Sequence, residues 1–161
     1  MSRARVTVRD AELEEQRALE ELQRRASLVW EADREMLLAH PEAIELPPEQ
    51  IRSGRVRVAV DGSGRRLGFS ALLAVDHGSC ELDGLFVEPE EWGRGIGRLL
   101  VSDCVERALR DGARWIEVTA NPDAYGFYER VGFDFGEVVS TRFRPARRMR
   151  KLLPADSRAA E

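Results

Sequence analysis

Hydrophobic residues in this chain change their spacing in a definite order. Arg55 to Val60 alternates, with Val56, Val58 and Val60 on one face, which predicts a half-buried strand. Asp61-Gly62-Ser63-Gly64 supplies a turn, and Leu67 to Val75 returns as a second strand. Asp76-His77-Gly78 then turns the chain into a third strand, Ser79 to Val87. There the spacing switches. Leu100, Val101, Cys104, Val105, Ala108 and Leu109 recur at helical intervals, so Gly97 to Arg110 predicts a helix buried on one face. Gly112 ends it. Trp115 to Thr119 reads as a strand again. The helix-long connection from Val87 makes those two strands parallel neighbours.

The flanks fill in the rest. Val6-Thr7-Val8 is a short strand, and Asp10 is placed to cap a helix over Ala11 to Arg25. Trp30 to Ala39 reads as a second helix that stops near Pro41, Glu42 to Pro48 as a loop, and Pro48 to Ser53 as one further helical turn. Asn121-Pro122-Asp123 opens a short helix ending at Gly132. Phe133 to Val139 and roughly Arg142 to Leu152 read as two last strands, and the tail from Pro154 as frayed. With no repeat and no linker, residues 1–153 form a single domain in this reading.

Composition narrows the class. With 161 residues, 43% hydrophobic and 34% charged, the chain suits a folded globular protein. A net charge of −4 speaks against nucleic-acid binding by a basic surface. No apolar run is long enough to span a membrane, and the N-terminus lacks a signal-peptide core, so the expectation is a cytoplasmic protein with no membrane partner. Cys80 and Cys104 lack CxxC spacing, and His40 and His77 form no ligand pattern, so no metal is expected. The arginines Arg142, Arg144, Arg147, Arg148 and Arg150 read as a solvated strand face, with recognition of an acidic acceptor as the alternative.

The chemistry concentrates in Phe86 to Leu100, FVEPEEWGRGIGRLL. A strand end, a turn with Gly93, Gly95 and Gly97, and a helix start form a cradle for phosphate. Glycine allows sharp turns and close approach, and the first helical N–H groups lack intrahelical partners. Arg94 and Arg98 add positive charge, while Glu88, Glu90 and Glu91 read as solvated charge in the turn. Gly-x-Gly-x-x-Gly fails here, because the sixth position is Arg98 or Leu100. A P-loop fails too, because Arg98 and Leu99 follow Gly97.

Two motifs in register resemble the GNAT superfamily of acyl-CoA-dependent N-acyltransferases. The first is Val87-Glu88-Pro89 followed by Trp92-Gly93-Arg94-Gly95-Ile96-Gly97. The second is Asn121, Ala124, Phe127, Tyr128, Gly132 and Phe133. Trp92 departs from the family, which usually has Gln or Arg there. The resemblance implies an α/β fold with a mixed, mostly antiparallel sheet of six to seven strands, flanked by helices, with a splayed central parallel pair. It implies that acetyl-CoA is the acyl donor. The N–H groups from Gly93 to Gly97, including Ile96, would hold its pyrophosphate, with Arg94 and Arg98 nearby. Main-chain groups of Phe86 and Val87 would pair with its arm as an added strand does. Asn121 would hydrogen-bond the arm, and Phe127 belongs to the same motif.

Acetyl transfer to an amine needs a neutral amine, a thioester held close, and a proton for the leaving thiolate. Tyr128 matches the family tyrosine that serves the thiolate, and could equally be a core tyrosine. Glu81 and Asp83 share a strand face. Glu81 matches the position where some members carry a catalytic glutamate, so it is preferred as the base, with Asp83 second. The pair could instead serve only to attract a cationic amine. The expected reaction is direct transfer to the primary amine of a small molecule in a ternary complex, by an enzyme that is a candidate homodimer. A protein acetyltransferase and a non-catalytic acyl-CoA-binding module are the alternatives.

Overall fold

The computed structural model describes residues 5–139 and 145–154. Arg142 and Arg144, and the tail beyond Pro154, lie outside them. Among the described residues there are seven strands: β1 (Thr7–Asp10), β2 (Val56–Val60), β3 (Arg66–Leu72), β4 (Ser79–Val87), β5 (Trp115–Ala120), β6 (Asp134–Val139) and β7 (Ala146–Leu152). The helices are α1 (Gln16–Leu28), α2 (Glu31–Ala39), α3 (Pro48–Arg52), α4 (Ile96–Arg110) and α5 (Tyr125–Arg130). The strand order is β1-β2-β3-β4-β5-β7-β6. It is mixed and mostly antiparallel, and β4–β5 is the parallel pair, as the long connection through α4 requires. The chain forms two compact units: Met1–Ala71 with Gly84–Leu100, and Leu72–Asp83 with Val101–Glu161.

In the first unit β1 pairs with β2 and β2 with β3, all antiparallel. The register shifts between Ala59 and Val60, which leaves Leu67 as the extra residue on β3. The extra residue puts Leu67 in a different apolar cluster from Phe69 and Ala71. One face takes Leu19 and Leu22 of α1 and Ile51 of α3 against Val56, Val58, Phe69 and Phe86. The other takes Ile96 and Leu100 of α4 against Ala59, Leu67, Leu85 and Val87. Each fully buried leucine contributes roughly 1.5–3 kcal/mol. The end of β4 is therefore anchored from both sides, and the start of α4 from one.

Asp10 does not cap the first helix. It ends β1 and takes the guanidinium of Arg57 at 3.1 Å. A 3-10 turn, Leu13–Glu15, intervenes, and the Glu15 carboxylate accepts the N–H of Glu12 at 2.9 Å. Glu15 is 3% exposed and also takes the Arg9 guanidinium at 2.8 and 2.9 Å, together with Arg66. A buried carboxylate with several donors outcompetes an exposed aspartate for the turn.

In the second unit Ser79, Cys80 and Glu81 register with Trp115, Ile116 and Glu117. β7 pairs antiparallel with both β5 and β6. Cys80, Leu82, Ile116, Val118 and Met149 are buried, while Glu81, Glu117 and Arg148 lie on the more open face. Cys104 and Ala108 of α4 are completely buried, as their helical spacing predicts.

Candidate functional site

The glycine-rich turn is built on neutralised carboxylates. After β4 the chain makes a 3-10 turn, Pro89–Glu91. Glu88 and Glu91 are buried, at 9% and 8% exposure, which corrects the reading of them as solvated. Buried carboxylates need partners. Arg25 of α1 donates both Nε and Nη2 to Glu88, at 2.8 and 3.0 Å. Arg65 donates to Glu91 at 2.7 Å and also meets Glu90. Arg94 donates to Glu91 at 3.3 Å while most of its side chain stays exposed.

Gly93 and Gly95 both have φ of +82, a backbone region that side chains other than glycine avoid. An added Cβ at either would meet nothing within 4 Å, so the backbone conformation, not space, demands glycine. Ile96 then plugs α4 into the core at 5% exposure, and Leu99 N–H makes the bond to Gly95 O. The N–H groups before it are the unpartnered donors of a helix start, with the helix dipole behind them. Arg98 is exposed beside them. Such donors, with the dipole behind them, favour negative charge.

The strand leading into the turn has a defined polarity. Glu88 N–H donates to Leu67 O of β3 at 2.8 Å. Main-chain groups alternate sides along a strand, so Phe86 faces β3 as Glu88 does, and Val87 directs its N–H and C=O away from β3. The Phe86 ring packs on Phe69, centroids 5.5 Å apart, within the core. Of the two residues expected to pair with an extended arm, Val87 is the one with outward main-chain groups. Trp92 reaches back: its indole N–H donates to Val87 O at 2.8 Å, and its ring stacks on Trp30 at 5.2 Å and 23°.

The second unit carries the Asn121 to Phe133 motif. Asn121 precedes a 3-10 turn, Pro122–Ala124, and its carbonyl accepts the N–H of Ala124. Its side-chain oxygen Oδ1 is buried without a hydrogen-bond partner. A buried acceptor left in that state is expensive, and a ligand amide N–H would satisfy it. Tyr128 is 7% exposed, with Phe127 and Phe133 edge-on to its ring at 5.2 Å each. Burial pushes its phenol up, and Cys104 adds to the shift, so the hydroxyl stays protonated near neutral pH. It can donate a proton or a hydrogen bond. Lys151 Nζ donates to Val131 O at 2.9 Å and closes the end of α5, where Gly132 has φ of +97.

Glu81 is not a lone carboxylate. Arg148 donates to its two oxygens at 2.7 and 2.9 Å, to Glu117 at 2.6 Å and to Thr119 Oγ1 at 2.9 Å. Glu81 and Glu117 stand directly opposite in the parallel pair, an arrangement that like charges disfavour. The guanidinium between them removes the repulsion. Asp83 is exposed two residues further on. Among the described residues the arginine stripe is only partly a solvated face: Arg150 is exposed, while Arg147 and Arg148 are half-buried. Arg148 holds this network, Arg150 lies over the Trp115 ring at 3.5 Å, and Arg147 lies over Phe135 at 5.1 Å. Sequence reading missed Glu117, Arg148 and Trp30 as parts of these arrangements. Strand register brings the first two together, and no local pattern encodes it.

The sequence profile of the Acetyltransferase (GNAT) family matches residues 16–133, more than half of the 161. The chain belongs to this family. A streptothricin acetyltransferase of Streptomyces lavendulae is 35% identical over 85 residues, covering 50% of this chain and 45% of that protein. A peptidyl-lysine N-acetyltransferase of Salmonella typhimurium is 33% identical over 92 residues, covering 57% and 59%. The chain spans between 32% and 59% of the length of the curated relatives it matches. The fold is shared with a PaiA N-acetyltransferase from Thermoplasma acidophilum solved with coenzyme A. The TM-score is 0.74, with 17% identity over 92% of this chain and 99% of that one. Among the described residues no helix is long and apolar enough to cross a membrane.

Proposed function

We infer that this protein transfers the acetyl group of acetyl-CoA directly to the primary amine of a small molecule in a ternary complex. The observation that carries the donor assignment is the run from outward-facing Val87 through the left-handed Gly93 and Gly95 to the start of α4. It offers strand-type pairing to an amide arm and backbone N–H groups to a diphosphate. In the second unit, the unpartnered Asn121 Oδ1 is an acceptor of the kind that an amide N–H satisfies.

Bound acetyl-CoA supplies an activated acyl carbon on a thiolate leaving group. In this reading the residues divide the remaining work. The N–H groups from Gly93 to Gly97 hold phosphate oxygens, with Arg94 and Arg98 contributing charge. The main chain at the end of β4 polarises the acyl carbonyl. Glu81, supported by Asp83, accepts the proton that the amine nitrogen loses as the C–N bond forms. Arg148 uses one lone pair on each Glu81 oxygen, and a carboxylate has others for a water or an amine. Tyr128 returns a proton to the sulfur as the C–S bond breaks; a phenol kept protonated by burial suits that role.

Likeness to the streptothricin acetyltransferase supports a small-molecule acceptor, and likeness to the peptidyl-lysine N-acetyltransferase supports a protein lysine as the second reading. A cytoplasmic site of action fits both; neither Cys80 nor Cys104 is in a disulfide. The test is release of free thiol from acetyl-CoA across a panel of small amines and lysine peptides. Turnover with small amines supports the reading. Turnover with peptides alone moves it to the second, and coenzyme A binding without turnover on any amine defeats both.

A further inference from the structure

The outward edge of β4 ends in a carbonyl that already has a donor. Val87 O accepts the indole N–H of Trp92 at 2.8 Å. Glu88 N–H goes to Leu67 on the opposite edge, so the Val87 carbonyl lies on the edge that an added strand would use. An acyl-CoA arm carries amide N–H groups, and each must find an acceptor once stripped of water. The indole and the arm therefore draw on one oxygen from the same edge of β4.

Trp92 is placed to give way. It is 40% exposed, so little packing holds it. The next residue, Gly93, has φ of +82 and no atom within 4 Å of an added Cβ, a backbone position with room to turn. The ring is steadied by Trp30, stacked at 5.2 Å. Trp30 in turn begins α2: its carbonyl accepts the N–H groups of Asp33 at 3.0 Å and Arg34 at 3.1 Å. A swing of the Trp92 ring thus frees the Val87 carbonyl and unstacks the residue that starts α2.

We propose that Trp92 is a gating residue: its indole N–H occupies the Val87 carbonyl, and an extended amide-bearing arm binds by displacing it and breaking the Trp30–Trp92 stack. This rests on the acyl-CoA reading above. It makes Trp92 a selector of the donor. A ligand with an amide arm opens the gate, whereas a ligand that offers only nucleotide and phosphates leaves it closed. It also gives a role to the one position where the first motif departs from its family.

The test compares calorimetric dissociation constants for coenzyme A and for adenosine 3′,5′-bisphosphate, which lacks the arm. The proteins are the wild type, Trp92→Phe and Trp30→Ala. Trp92→Phe keeps a ring for the stack and removes the N–H. It is expected to bind coenzyme A about fivefold tighter, the factor equivalent to a net hydrogen bond of about 1 kcal/mol. Trp30→Ala, which frees the ring, is expected to shift affinity in the same direction. The bisphosphate should bind all three equally. Tryptophan emission of the wild type should shift with coenzyme A and not with the bisphosphate, and the shift should shrink in Trp92→Phe. Unchanged or weaker coenzyme A binding by Trp92→Phe overturns the gate alone, because the carbonyl's second lone pair then serves the arm. No coenzyme A binding by any of the three, each shown to be folded by its thermal transition, defeats the acyl-CoA reading and the gate with it.

Discussion

Gly68 and Phe86 approach so closely that a Cβ built on Gly68 would lie 2.7 Å from the Phe86 carbonyl oxygen and 3.2 Å from Val87 Cα. Both neighbours are backbone and cannot rotate away. Gly68→Ala should push the end of β4 out of place by a few tenths of an ångström or more. The expected cost is about 1–3 kcal/mol of stability, as for other overpacked sites. The KM for acetyl-CoA should rise more than kcat falls, because β4 is assigned to holding the donor. Urea unfolding and steady-state kinetics check the two parts separately.

Arg148 between Glu81 and Glu117 makes a second prediction. Arg148→Met leaves two partly buried carboxylates facing each other across the parallel pair. Stability should fall by roughly 2–3 kcal/mol, the range for removing one partner of a charged hydrogen-bonded group. Adding Glu117→Gln should recover a substantial part of it. Additive losses in the double variant would contradict the network. Denaturation midpoints of the four proteins measure the coupling.

Glu15 makes the first unit sensitive to acid. The hydrogen bonds from Arg9 come first among the causes that hold its carboxyl at about 2, against an ordinary value of 4.5; the backbone of Glu12 and Arg66 add to them, and burial opposes. A depressed carboxyl stabilises the fold above its unfolded value, and that contribution fades as pH falls from 4.5 toward 2. The whole shift corresponds to at most about 3 kcal/mol, and half-exposed arginine partners reduce it to roughly 1–2. Glu15→Gln should therefore be less stable than the wild type at pH 7, and the gap should narrow below pH 4. Chemical denaturation at a series of pH values shows whether it does.

Tyr128→Phe separates chemistry from packing. The ring contacts with Phe127 and Phe133 survive, so the melting temperature should move little. If the hydroxyl supplies the proton, kcat should drop by roughly 100-fold with the KM for acetyl-CoA nearly unchanged. Because burial raises the phenol, its ionisation should produce no loss of activity up to about pH 10 in the wild type. Full turnover by the phenylalanine variant would leave Tyr128 as a core residue only.

Helical spacing in the chain located α4 to within one residue of its start, and it identified Cys104 and Ala108 as inward-facing. The alternation at Val56, Val58 and Val60 likewise marked β2. Both signals are local, and burial of one face enforces them. Charge was harder to read. Glu88 and Glu91 sit among prolines and acids, a pattern typical of solvated turns, yet arginines 63 and 26 residues away bury them. Arg148 looked like part of an exposed stripe, but its partners are 67 and 31 residues distant. Such pairings depend on strand register and on which helix lies beneath a turn, and neither leaves a periodic trace. Trp92 stood out as a departure from the family, but its partner Trp30 lies beyond any local window.

The bidentate Arg25–Glu88 bond has a consequence for how sequences of this kind can drift. A carboxylate buried at the foot of the proposed anion site works against that site unless a cation cancels it, so neither member can change alone without harm. Close relatives should therefore lose or keep the arginine at the end of α1 and the glutamate after β4 together. A lineage that exchanges Glu88 for an uncharged residue should show position 25 released to vary, though the two are separated by 63 residues of chain.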